Sequence, residues 1–293
     1  MAIIDIVIVN YNATPYLLGC LSSIYQAKAT INGARIIVFD NASMDGVGRI
    51  KSWFPEVELL HSPTNVGFAK AVNHAIRMSF APYVLILNPD TCIQKPFFDA
   101  MLDFMETHPD VGVLGPRIFD ENGRVQGSAR SYPTPATALF GRSTFLTRLF
   151  PNNRYTAKHV LAKGAQIEQP MDVDWVSGAC MLVRRAAIAS VGMLDEHFFM
   201  YWEDADWCRR MRENRWRVIY FPKSALVHYT AMSSRKNPVQ ASLEFHKSAY
   251  HLFCKSAGNS NHWFLRIFVF SALLFRAYVK IIMTMAVNLK RIR

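Results

Sequence analysis

The sequence predicts an α/β protein: an open, mostly parallel sheet flanked by helices, with an amphipathic helical tail at the C-terminus. Three observations predict it. Through the first 115 residues, short apolar runs without polar alternation are separated by stretches of helical spacing, the pattern of strands covered on both faces. Each of these runs halts at a polar cluster. The final stretch, HWFLRIFVFSALLFRAYVKIIMTMAVNLKRIR, is very apolar yet carries cations at intervals.

IDIVIVN (Ile4–Asn10) reads as the first buried strand. PYLLGCLSSIYQA (Pro15–Ala27) follows as a helix, with Thr14 as N-cap and Pro15 at the first helical position, where its missing N–H does no harm. ARIIVFD (Ala34–Asp40) is the second strand, DGVGRIKSWF (Asp45–Phe54) a short helix, and VELLHS (Val57–Ser62) the third strand. GFAKAVNHAIRMS (Gly67–Ser79) has helical spacing, and YVLILN (Tyr83–Asn88) is the fourth strand. Residues 123–170 mix Pro, Ser, Arg and aromatics without a clean period and read as a variable basic excursion over the site, touching an acceptor. MDVDWVSGACMLVRRAAIASVG (Met171–Gly192) reads as a strand with small residues and then a short helix. EDADWCRRMRENRW (Glu203–Trp216) is a helix with an acidic first turn, followed by two strands in WRVIYFP and SALVHYT. The chain thus divides into a main domain over 1–235, with halves at 1–115 and 171–235, and a helical region over 236–293.

With 33 Lys and Arg against 22 Asp and Glu, the net charge is +11 over 293 residues, so anionic partners are expected. Nucleic acid shares that sign, but the basic residues are dispersed and no nucleic-acid module is recognisable, so no nucleic-acid partner is expected. The five cysteines form no C-x-x-C pair, which points to a reducing compartment and away from a zinc site or disulfide framework. No basic n-region or cleavage site precedes the first strand, so no signal peptide is expected.

In the tail, Arg266, Arg276 and Lys280 leave uncharged stretches too short for a spanning helix. At about 100° per residue the three cations share one quadrant, and Thr284, Asn288 and Arg291 extend the stripe. The expectation is a helix lying in the membrane interface with its cations toward lipid phosphate. A core helix or a homodimer face fits the same pattern.

In parallel sheets, ligands bind outside the carboxyl ends of the strands. Here those ends carry Asn10-Tyr11-Asn12, Asp40-Asn41, Ser62 to Asn65 and Asn88-Pro89-Asp90. Any one cluster is an ordinary turn. Four along one edge, two with a lone aspartate, indicate a site.

The motifs VIVNYN, FDNASMDG, NVGFAKAVN, LNPDT, DWVSGACMLVRR and FFMYWEDADWCRRM occur in that order. Together they resemble family 2 glycosyltransferases of the GT-A fold, closest to the rhamnosyltransferase-like enzymes of bacterial surface polysaccharide assembly. The likeness runs to about Thr230 and leaves out 123–170 and the tail. It implies an inverting, metal-dependent transferase moving a sugar from a dTDP- or UDP-sugar to a glycan or polyprenyl-diphosphate-linked acceptor, peripheral on the cytoplasmic face of the inner membrane. By the same likeness, 1–115 is the nucleotide-binding half and 171–235 the acceptor-binding half.

The likeness gives roles to single residues, each with its own physics. Asp40 would accept the N3–H of a uracil or thymine ring, a donor cytosine lacks, and Tyr11 would stack on that ring. Asn12 belongs to the same cluster. Asn65 and Gly67 would let backbone approach a diphosphate at a helix N-terminus, with Asn73 in the same pattern and Lys70 as a nearby cation. Asp90 would hold Mn²⁺ or Mg²⁺ beside the diphosphate, since hard cations prefer carboxylate oxygen. The family pattern is D-x-D, and here its first aspartate is Asn88, which ligates or orients water instead. His228 is a second metal ligand by the likeness; alone on a strand, a histidine is ordinarily structural. Asp204 would be the general base and Glu203 its partner, although acids also suit a first helical turn. Trp175, Ser177, Gly178 and Trp202 would form the acceptor side, with small residues leaving room for a sugar ring and tryptophan stacking on it.

Two other functions fit an open α/β sheet. A nucleotidyltransferase making sugar nucleotides would carry a Gly-rich basic loop after the first strand, which NYNATPY lacks. A non-catalytic, membrane-associated nucleotide-sugar-binding relative would be expected to have lost Asp90 or Asp204.

Overall fold

The computed structural model describes residues 3–28, 33–132, 167–229, 237–256 and 263–292, without the side chains of Lys28 and 286–292. Most of the 123–170 excursion therefore lies outside the described residues, as do the side chains of Asn288 and Arg291.

The elements are β1 (Ile4–Asn10), α1 (Thr14–Lys28), β2 (Ala34–Asn41), a 3-10 turn (Val47–Arg49) running into α2 (Ile50–Trp53), and β3 (Glu58–Ser62). Then come α3 (Phe68–Arg77), β4 (Tyr83–Leu87), β5 (Thr91–Ile93), α4 (Phe98–Thr107), β6 (Val111–Phe119) and β7 (Ala129–Arg130). The second half holds β8 (Met171–Asp172), β9 (Trp175–Val176), β10 (Cys180–Arg184), α5 (Arg185–Val191), α6 (Glu203–Glu213), β11 (Arg217–His228), α7 (Pro238–Ser256) and α8 (Trp263–Ile292).

Nine strands form one sheet in the order β3-β2-β1-β4-β10-β6-β11-β5, with β8 on β11. β1 to β4 run parallel, as their unbroken burial requires, and β6 and β11 point the same way. β10, inserted between β4 and β6, runs against both, and β5 and β8 run against β11. Apolar side chains cover both faces. Ile4, Ile6 and Ile8 of β1 pack with α1 and α4 on one side, and Val7 and Val9 with α3 and α6 on the other.

Two local expectations are corrected. Thr14 does not cap α1: its N–H and hydroxyl both donate to the Asp45 carboxylate at 2.8 and 2.6 Å, while the carbonyl of Ala13 receives the first helical N–H groups. WRVIYFP and SALVHYT are one strand, β11, whose register on β6 breaks between Phe221 and Ala225 around Pro222, a residue that cannot donate to the ladder.

The tail differs more. Trp263–Met285 is long and apolar enough, by length and composition, to cross a membrane, so the cations do not shorten it as expected. Nor do they form an outward stripe. α8 packs along α7, with Ala277 buried and Arg276 partly buried there, and Lys280 Nζ lies 5.6 Å above the Phe245 ring of α7. What faces outward is apolar: Phe264, Phe268, Leu274, Phe275, Tyr278 and Met283 are all more than half exposed.

Candidate active site

The topology gathers the polar strand ends. β1, β2, β3 and β4 are parallel neighbours, so Asn10, Asn41, Ser62 and Leu87 end at one edge of the sheet. β10 enters antiparallel with Cys180 beside Leu87, which brings Ser177-Gly178 to the same edge. β11 leaves there too, with His228 beside Thr91 of β5.

The carboxylate of Asp90, just past β4, lies 3.2 Å from His228 Nε2. His228 Nδ1 is 3.3 Å from Gln126 Oε1, and Gln126 is fixed by donating its own amide to the His228 carbonyl at 2.9 Å. With Nδ1 turned to Gln126, Nε2 is the ring nitrogen that faces the carboxylate. A carboxylate oxygen and an imidazole nitrogen at that separation can share one cation, a proton or a metal ion. Bonds of about 2.1 Å from each would meet at one ion, so Asp90 and His228 fit a divalent cation. Asn88 Nδ2 stands 3.4 Å from the same Nε2, on the side where the missing aspartate of the family pattern would be.

Asp204 lies across the residues that lead into β10. Its Oδ2 accepts the Gly178 N–H at 2.8 Å and its Oδ1 the Ala205 N–H at 2.8 Å. The residue after Gly178 accepts, at its carbonyl, the Asn88 N–H at 3.0 Å. One strand entrance thus separates Asp204 from the Asn88–Asp90 turn. Burial raises the Asp204 pKa, partly opposed by the two N–H groups and by the nearby Arg130 charge. Glu203 is buried with Oε2 unpartnered among the described residues, and burial followed by the Asp204 charge pushes its pKa well up. The turn delivering these acids is strained. Tyr201 and Trp202 both have positive φ, 68° and 69°, at roughly 1–3 kcal/mol each.

On the nucleotide side the expected residues divide. Tyr11 is 38% exposed at the β1 exit, and Lys70 is exposed on α3. Asn12 Oδ1 accepts the Met44 N–H at 2.8 Å, so Asn12 shapes the loop behind Tyr11. The Asp40 carboxylate is covered. It is 0% exposed, with Oδ1 accepting from Asn10 and Oδ2 held 2.8 Å from His61 Nδ1, and His61, 62% exposed on neighbouring β3, lies over it.

Gly67 and Asn73 are corrected outright. Gly67 has φ 85°, and a Cβ there would sit 2.6 Å from the Phe199 carbonyl oxygen, which also takes the first N–H of α3 from Phe68 at 2.6 Å. The glycine and the helix N-terminus therefore serve the 199–202 turn instead of a diphosphate. Asn65 builds the same corner, with Oδ1 accepting from Gly67 N–H and from Asn41. Asn73 is buried and fully engaged, donating to the Leu194 carbonyl and Glu196 and accepting the Leu194 N–H.

On the acceptor side, Ser177 and Gly178 are partly open and Trp175 is buried, so Trp175 offers no face to a sugar. Its ring packs 6.0 Å from Trp202, donates Nε1–H to the Ser131 carbonyl and lies under the Arg130 guanidinium at 4.8 Å. Trp202 is partly open, with a buried Nε1–H unpartnered among the described residues. His61, Gln126 and Arg130 were not legible as site residues, because each acts through a neighbour brought by the fold.

A second grouping of metal-ligand type, Asp195, His197 and His251, lies on the far side of α6. Lys255 Nζ already supplies a cation there, 2.7 Å from Asp195 Oδ2 and 2.9 Å from Asp206 Oδ2. Burial pushes the Asp195 carboxyl up, but Lys255 and His197 outweigh it and hold it well below the usual range. That grouping does not fit a metal.

Residues 5–192 match the family described as Glycosyl transferase family 2. The chain is 32% identical over 260 residues to an N-acetylglucosaminyl-diphospho-decaprenol L-rhamnosyltransferase of Mycobacterium tuberculosis, covering 85% of this chain and 83% of that protein. Rhamnosyltransferase WbbL of Escherichia coli is 34% identical over 95 residues, covering 32% of this chain and 36% of that protein. Among solved structures, S. aureus TarS 1-349 superposes with a TM-score of 0.57 at 16% identity, covering 95% of this chain and 72% of that one. GalNAc-T7 with UDP, GalNAc and Mn²⁺ gives 0.54 at 13%, covering 78% of this chain and 44% of that one. At such identities the structures speak for the fold alone, which is of the GT-A type.

Proposed function

The chain belongs to glycosyl transferase family 2, and from that membership we propose that it moves a sugar, with inversion, from a dTDP- or UDP-sugar to a polyprenyl-diphosphate-linked glycan acceptor. A rhamnosyl donor is favoured by the likeness to the mycobacterial enzyme. The observation that carries the reading is the placing of Asp204 and of the Asp90–His228 pair on opposite sides of one strand entrance, joined through Gly178 and Ala179.

Asp204 takes the proton of an acceptor hydroxyl; that oxygen bonds to the anomeric carbon as the bond from that carbon to the diphosphate oxygen breaks, and the diphosphate leaves with the electron pair. A raised pKa suits this step, because a stronger base accepts the proton more readily. Asp90 and His228, with Asn88 beside them, would hold a divalent metal, Mn²⁺ or Mg²⁺, whose chemistry is to neutralise charge growing on the departing diphosphate. Tyr11 stacks on the base, and Asp40 reads it once His61 swings aside. Arg130 and Trp202 border the acceptor.

The outward apolar face of α8 supports peripheral attachment to a membrane carrying the lipid-linked acceptor, on the cytoplasmic side where nucleotide sugars are made. The test is a panel of UDP-, dTDP- and GDP-sugars titrated with Mn²⁺, Mg²⁺ or chelator, scoring binding and slow hydrolysis. The expected result is metal-dependent binding of a uracil or thymine nucleotide, lost in Asp90→Asn. Binding of none, or binding indifferent to both metal and Asp90, contradicts the reading.

A further inference from the structure

We propose that Arg276 and Lys280 of α8, with His246 of α7, form the seat for the diphosphate of the lipid-linked acceptor. This rests on the reading of the chain as a transferase to such an acceptor.

The puzzle is the orientation of α8. A helix that merely adheres to an anionic membrane turns its cations outward to lipid phosphate. Here they lie along the side of α8 that meets α7. Arg276 is partly buried against α7, and Lys280 reaches over the Phe245 ring at 5.6 Å. Among the described residues neither has a hydrogen bond or an acidic partner. They sit four residues apart on one helix face, where like charges repel. A third basic group adjoins them: His246 is 5% exposed, its Nδ1 lies 2.6 Å from the Ser242 carbonyl, and its Nε2 is buried without a partner among the described residues. Burial, then the charges of Arg276 and Lys280, push the His246 pKa down, against the Ser242 carbonyl contact that raises it. Two cations with no acidic partner among the described residues, Arg276 partly buried and Lys280 exposed, beside a buried imidazole suit an anion, which would offset the repulsion and let His246 take a proton and donate from Nε2.

The surroundings select the anion. On the outer side lies the apolar face of α8, with Phe264, Phe268 and Phe275 exposed. On the inner side Phe245 packs 5.3 Å from Trp202, next in chain to Glu203 and Asp204. The sequence of environments is hydrocarbon, cations, aromatic shelf, base. A sugar on a polyprenyl diphosphate has the same sequence of parts: hydrocarbon, diphosphate, ring, reacting hydroxyl. A nucleotide donor does not, since its phosphates belong at Asp90 and His228.

The experiment uses the full chain in detergent, without divalent metal, and compares binding of farnesyl diphosphate, farnesol and inorganic diphosphate. Wild type is expected to bind farnesyl diphosphate at least tenfold more tightly than either of the others, and R276Q/K280Q to lose that preference. The single K280Q, at an exposed position, should weaken binding severalfold and serves if the double variant does not fold. Unchanged farnesyl diphosphate binding in folded variants overturns the proposal. So does loss of binding to phosphatidylglycerol vesicles with farnesyl diphosphate binding intact, which would make the cations a bilayer contact. Metal-dependent nucleotide-sugar hydrolysis is measured alongside: its persistence in variants with unchanged lipid binding leaves the transferase reading standing, and its absence in wild type defeats that reading separately.

Discussion

The backbone N–H of Gly178 donates to Asp204 Oδ2 at 2.8 Å, tying a carboxylate at the start of one helix to the entrance of a strand 26 residues earlier in the chain. A Cβ on Gly178 would lie 3.4 Å from both the Asp204 Cβ and Oδ2. Gly178→Ala therefore packs a methyl against the base at van der Waals distance and, because reacting groups tolerate little misplacement, is expected to lower kcat about tenfold, leaving the KM for the nucleotide sugar nearly unchanged. Steady-state kinetics decide; a kcat within twofold of wild type removes the positioning role.

Glu203 makes a prediction about stability. Its pKa is raised in the folded chain above the ordinary 4.5, first by burial and then by Asp204. Between 4.5 and the raised value the folded state keeps a proton that the unfolded state has lost, so stability falls as pH rises. Glu203→Gln should raise Tm more at pH 8 than at pH 4, and a gain that is flat or reversed across that range would show that Glu203 is not held protonated.

His61 closes Asp40. Removing it takes away a hydrogen bond that a nucleotide base would have to displace, so His61→Ala should bind UDP or dTDP more tightly, by up to about fivefold for an interaction worth about 1 kcal/mol. Isothermal titration checks this. Weaker binding would mean that His61 itself holds the nucleotide.

Lys255 joins α7 to α6 through Asp195 and Asp206. Lys255→Ala removes one of the cations on the buried Asp206 carboxylate, which keeps Arg210 at 2.9 Å, and should cost about 1.5 kcal/mol. Asp195 is held below its ordinary value of 3.8, so its part of this stability is present above 3.8 and disappears as pH falls toward its depressed value. The gap between wild type and variant in chemical denaturation should shrink on acidification, and a gap that widens would contradict the linkage.

Much of the fold was legible because buried parallel strands announce themselves: β1 begins and ends where its apolar run does, and β2 and β4 do so to within one residue. β6 was not legible, since Gly115 and Pro116 interrupt VGVLGPRIF and read as breakers. Gly67 was recognisable as a position of special backbone, but its reason, the Phe199 carbonyl, arrives from a distant loop. The same holds for Asp40, whose lid comes from the next strand, and for Trp175, whose burial is decided by Arg130 and Trp202. The cationic stripe of α8 follows from helical periodicity, but periodicity says nothing of which neighbour the stripe meets.

The most direct test of the central claim, that Asp204 is the base across the β10 entrance from the Asp90–His228 pair, is single-turnover transfer by Asp204→Asn with saturating donor, metal and lipid-linked acceptor. Transfer should slow by about 10²–10⁴-fold while nucleotide-sugar binding stays within twofold of wild type. Transfer at an undiminished rate, or a loss of donor binding equal to the loss of rate, would contradict it.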